Sequence, residues 1–99
     1  MKNKKIMSNP IFKKISSILE SYGVKRISIF GSYARGEERK TSDVDVIVEF
    51  SERKSLFDIV GIEQELSEAA GVKVDLLTEK SISPYLIDRI KKEIEVIYE

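Results

Sequence analysis

The chain has no cysteine and no histidine, and only two prolines. These absences exclude disulfides, zinc sites of the Cys/His kind, thiol nucleophiles and histidine-based triads. Any metal must be held by oxygen ligands, which favours Mg²⁺, Mn²⁺ or Ca²⁺. An excess of either charge is missing too, since 17 basic side chains balance 17 acidic ones. Holding nucleic acid by bulk electrostatics needs a clustered cationic surface, so no strong nucleic-acid binding is expected. Lys2, Lys4, Lys5, Lys13 and Lys14 crowd the N-terminus and read as a solvated tail and helix face. No segment approaches the roughly 18 consecutive apolar residues of a membrane span. The basic start lacks the apolar run of a signal peptide. No membrane association and a cytoplasmic location are the expectation.

What is present fits one domain spanning residues 1–99, with 41% hydrophobic residues to build a modest core. Ser8-Asn9-Pro10 reads as a helix start, with Asn9 as cap and Pro10 in the first turn. Ile11, Phe12, Ile15, Ile18, Leu19 and Tyr22 follow at helical spacing, and Gly23 is a stop. Val24 to Phe30 reads as a strand. Residues 31–42 form a turn with one short helical turn at Tyr33-Ala34-Arg35, then a loop. Asp43 to Phe50 is the clearest strand, with Val44, Val46 and Val48 on one face and Asp43, Asp45, Ile47 and Glu49 on the other. Ser55 and Asp58 form a capping-box pattern before a helix expected to bury Leu56, Ile59, Val60, Ile62, Leu66 and Ala70, ended by Gly71. Val72 to Leu77 reads as a third strand. Ser83-Pro84 opens a last helix with Leu86, Ile87 and Ile90 inward, and Ile94 to Tyr98 alternates like a short strand. The interleaving predicts an α+β (α/β-like) fold, a mixed β-sheet flanked by helices. The apolar faces of the terminal helices would serve a homodimer or another partner equally.

The chemistry lies in three features at fixed spacing. A strand ends in Gly31-Ser32; after ten intervening residues Asp43-Val44-Asp45 opens the next strand; Asp75 interrupts an apolar one. Residues two apart on a strand share a face roughly 6–7 Å apart, so Asp43 and Asp45 can converge on divalent cations. The alternative is a solvated strand face, but Asp is poorly suited to strands, and the other face here is all valine. A carboxylate in an apolar strand must face water or be compensated. If the Asp75 strand neighbours the Asp43–Asp45 strand, the carboxylates meet, and a divalent ion is the cheapest way to neutralise them. Gly31 lets the backbone approach a phosphate closely, and Ser32 adds a hydroxyl and an N–H. A Gly-Ser pair alone is a weak signal, and the P-loop lysine is missing. Arg35 reads either as a second phosphate contact or as a surface partner of Glu37 or Glu38. Tyr33 either stacks on a base or covers the sheet edge, and the latter is favoured.

The run Gly31-Ser32-Tyr33-Ala34-Arg35-Gly36, then Ser42-Asp43-Val44-Asp45-Val46-Ile47-Val48, then Asp75, resembles the minimal nucleotidyltransferases of the DNA polymerase β superfamily. The resemblance covers nearly the whole chain. It implies that Asp43, Asp45 and Asp75 form a catalytic metal site for two Mg²⁺ ions, or Mn²⁺, with Asp75 helping to activate the acceptor hydroxyl. Gly31 and Ser32, with Arg35, would hold the triphosphate of ATP or another NTP. The helical substrate domain of larger relatives is lacking, so the expected acceptor is another protein. In this family that partner is often a HEPN-domain toxin, modified with AMP on a tyrosine hydroxyl by its antitoxin. Two rivals belong to other classes: a non-catalytic module that neutralises a partner by covering it, and a glycosyltransferase with a D-x-D motif, for which the chain is small.

Overall fold

A computed structural model of the chain describes residues 9–37, 43–78, 82–92 and 94–98, with the backbone alone at 35, 86, 87, 89 and 91. The expectations for Lys2, Lys4, Lys5, Ser8 and Ser42, and for the side chains of Arg35, Leu86 and Ile87, lie outside the described residues.

Helix α1 (Pro10–Ser21) begins as its residues dictate. The Asn9 side chain accepts a hydrogen bond from the Ile11 N–H at 2.9 Å, satisfying one of the first-turn donors. Phe12, Ile15 and Leu19 form its buried stripe. Tyr22 falls off that stripe: it is 37% exposed, and its hydroxyl donates to Glu65 Oε1 at 2.5 Å. Strand β1 (Val24–Phe30) runs into the four-residue helix α2 (Ser32–Arg35), and β2 covers Val44–Phe50 with Asp43 just before it. Helix α3 (Leu56–Ala70) has the full capping box at Ser55 and Asp58, and Gly71 ends it in the left-handed region. Strand β3 (Val74–Thr78), helix α4 (Pro84–Lys91) and strand β4 (Glu95–Tyr98) complete the order.

The sheet order is β3-β2-β1-β4, with β2 and β3 parallel and the other pairs antiparallel. This is the expected mixed sheet flanked by helices. Val44, Val46 and Val48 of β2, with Ile27, Ile29, Val74 and Leu76, face α1 and α3 and form the main core. The opposite face carries a smaller cluster of Ile47, Ile82 and Ile90, against which Phe30, Leu77 and Ile94 pack.

Two expectations are corrected. Leu56 and Val60 are not buried: they are 76% and 45% exposed. The inward stripe of α3 is Ile59, Ile62, Leu66 and Ala70. Val60 is two positions from Ile62, about 200° round the helix, and Leu56 sits in the first turn ahead of the stripe. The third strand starts at Val74 rather than Val72, because its pairing with β2 begins only where Val44 meets Val74.

Candidate active site

The parallel pairing of β2 with β3 sets the geometry of the site. Its register puts Val44 opposite Val74, Asp45 opposite Asp75 and Val46 opposite Leu76. Two strands separated by a fifteen-residue helix thus deliver their carboxylates to one point on one face. The alternation that puts Val44 and Val46 in the main core turns Asp45 to the opposite sheet face with Ile47, and Asp75 with Leu77. On the other side of Asp45, the register places Phe30, the last residue of β1.

Gly31 follows Phe30 with φ 78 and ψ −153, a region essentially restricted to glycine. A Cβ here would lie 2.5 Å from Asp45 Oδ2. The glycine therefore serves both the turn and the space above the carboxylate. Ser32 opens α2 half-buried, and Gly36 closes it in the left-handed conformation. Tyr33 turns inward: it is 7% exposed, and its ring meets Phe12 edge-on at 6.0 Å. Tyr33 is thus a member of the main core, neither open to stack on a base nor placed over an edge strand.

Asp45 is the electrostatically loaded member. Burial raises its pKa first; the charges of Asp75 and Asp43 and a hydrogen bond with Asp75 add to this, bringing it from 3.8 to about 6. Asp43 and Asp75 are more open, with side chains 41% and 36% exposed. Lys73, which was not singled out from the sequence, joins them: its Nζ lies 4.0 Å from Asp43 Oδ2 and 3.9 Å from Asp75 Oδ1. Its signal was available, since a residue two before Asp75 shares its face.

The donor set suits a hard divalent cation, being all carboxylate oxygen with three acidic groups against the one Lys73 ammonium. Among the described residues, no group of three or more acidic side chains is gathered so as to hold a metal ion by itself.

A mixed sheet whose neighbouring strands β2 and β3 join carboxylates beside a strand-ending glycine has the arrangement of a nucleotidyl-transfer core. The chain matches the nucleotidyltransferase domain model over residues 12–97, and it belongs to that family and is a nucleotidyltransferase. It is 56% identical over 85 residues to a protein of Methanocaldococcus jannaschii assigned as a protein adenylyltransferase, covering 86% of this chain and 91% of that one. It is 37% identical over 75 residues to the protein adenylyltransferase MntA of Thermococcus cleftensis, covering 76% of each. Among solved structures it is similar to a toxin–antitoxin crystal structure with AMP-PNP, with a TM-score of 0.79 and 25% identity over 87% of this chain and 71% of that one. Nucleotidyltransferases of this family generally use divalent metal ions. No described helix is long and apolar enough to cross a membrane.

Proposed function

We propose that the chain is a protein adenylyltransferase that moves AMP from ATP onto a tyrosine hydroxyl of a HEPN-type partner, acting as the antitoxin of the pair. The observation that carries this reading is the Asp45–Asp75 pairing directly beside Gly31. The relatives assigned as protein adenylyltransferases support the choice of AMP and of a protein acceptor. The likeness to a toxin–antitoxin complex with AMP-PNP supports the partner and the nucleotide.

In this reading Asp43 and Asp45 hold the metal, and Asp75 completes the site. Bound Mg²⁺, or Mn²⁺ in its place, supplies charge neutralisation at the phosphates and lowers the pKa of the acceptor hydroxyl. The acceptor oxygen bonds to the α-phosphorus, the bond from that phosphorus to the α,β-bridging oxygen breaks, and pyrophosphate leaves with the electron pair. Asp75 accepts the hydroxyl proton. Gly31 keeps the space above Asp45 open for the phosphates, and Ser32 offers them its hydroxyl. Arg35 extends the phosphate contacts. Catalysis is mostly placement and charge compensation.

The test is mass spectrometry of the partner after incubation with the chain, ATP and Mg²⁺. Added AMP units are expected, and Asp43→Asn and Asp45→Asn should each lower the yield by at least about a hundredfold. Undiminished transfer by both variants would sink the metal assignment, and an unmodified partner would sink the acceptor. Neutralisation by covering the partner is the second reading, favoured by the exposed Leu56 and Phe57. Asp43→Asn separates the two, because a covering module would still neutralise its partner.

A further inference from the structure

Lys73 completes a square of charged residues. One position before the paired segment of β3, it lies across from Asp43, and the Val44 N–H donates to the Lys73 carbonyl at 2.9 Å. Asp75 lies across from Asp45. The Lys73 ammonium spans the Asp43 and Asp75 carboxylates at 4.0 and 3.9 Å. The Lys73 side chain is 70% exposed, and pairs this long and this wet contribute little to stability. Its positive charge also opposes a divalent cation at the same carboxylates. A lysine so placed impairs metal binding unless an anion receives it when the metal enters. Its four-carbon stem lets the ammonium swing by several ångströms, and the ligand of opposite charge that this site admits is a triphosphate.

We propose that Lys73 is a nucleotide-binding residue: it serves as counter-ion to Asp43 and Asp75 in the ligand-free site and passes to the phosphates when the metal-bound nucleotide enters. This rests on the nucleotidyl-transfer reading of the site. No bond is made or broken by the lysine; it exchanges two carboxylate partners for phosphate oxygens.

The experiment is calorimetry on the whole chain with two probes, Mn²⁺ alone and α,β-methylene ATP with Mg²⁺. It compares wild type with Lys73→Met, Lys73→Arg and Asp43→Asn. Removing the charge in Lys73→Met should tighten Mn²⁺ binding and weaken the analogue, each by about five- to tenfold, as expected for one charge at about 4 Å near water. Lys73→Arg should restore both affinities towards wild type. Circular dichroism should show an unchanged fold, the side chain being exposed. If Lys73→Met leaves both affinities unchanged while wild type binds the analogue, the role of Lys73 is overturned and the site stands. If wild type fails to bind the analogue, or Asp43→Asn binds it as well as wild type, the site reading falls and Lys73's role with it.

Discussion

Asp45, the proposed metal ligand nearest Gly31, carries a cost in stability. Its pKa is raised to about 6, above the 3.8 of an ordinary aspartate, so the native state holds this proton more tightly than the unfolded chain. The resulting stability is fully present below pH 4, is lost as the pH rises through 6, and leaves ionised Asp45 a burden on the metal-free fold. Asp45→Asn should therefore raise the melting temperature in EDTA at pH 8 by about 2–5 °C and leave it nearly unchanged at pH 4. A variant less stable than wild type at pH 8 would show that the like-charge cost is absent. Gly31 sits against the same carboxylate, and alanine there meets two penalties: a positive φ and a Cβ 2.5 Å from Asp45 Oδ2. Gly31→Ala should cost about 1–3 kcal/mol in urea unfolding and abolish metal-dependent nucleotide binding. Wild-type stability would show that the turn relaxes freely.

At the scale of elements, α3 does more than cover the sheet. β3 lies at the sheet edge, and its outward N–H groups would be open to another strand. Ser67 Oγ accepts from the Val74 N–H at 2.9 Å, and Glu63 Oε2 accepts from the Leu76 N–H at 2.8 Å. These bonds close the edge on both sides of Asp75, so the helix that links the strands also steadies the strand carrying the third carboxylate. Glu63→Ala should cost about 1–2 kcal/mol and accelerate amide exchange at Leu76 more than at Val46, which lies in the central strand β2. Equal exchange at both amides in the variant and wild type would remove the edge role. The short-range signals for this helix were sound, as the Ser55–Asp58 capping box and the Gly71 stop show. The edge bonds were not legible, because they depend on which side of β3 the returning helix passes.

Over the whole molecule, the carboxylates unite the fold with its ligand. Folding brings Asp45 and Asp75 into register, where their like charges oppose each other, so a cation that compensated them would stabilise the fold. A metal–nucleotide complex at about a hundred times its dissociation constant should add about 2.7 kcal/mol, raising the melting temperature by about 10–20 °C for a domain of this size. Differential scanning fluorimetry with Mg²⁺ and ATP, set beside ATP in EDTA, would read this. An equal shift in both would remove the metal from the site.

The sequence alone determined whatever depends on neighbours within a few positions: the Asn9 cap, the Ser55–Asp58 box, the glycine stops and the alternation that puts Asp43 and Asp45 opposite the valine face. The Gly31-Ser32 to Asp43 spacing also carried the family, because tight turns and strand faces are local geometry. Only the tertiary structure decided that β3 lies beside β2 in parallel with Asp75 across from Asp45, and that Lys73 spans two carboxylates. It also decided that Leu56 and Val60 face outward while Tyr33 turns in. Each of these depends on where one element docks on another, and that docking is set by burial of apolar surface over the whole core, which no short window of residues contains.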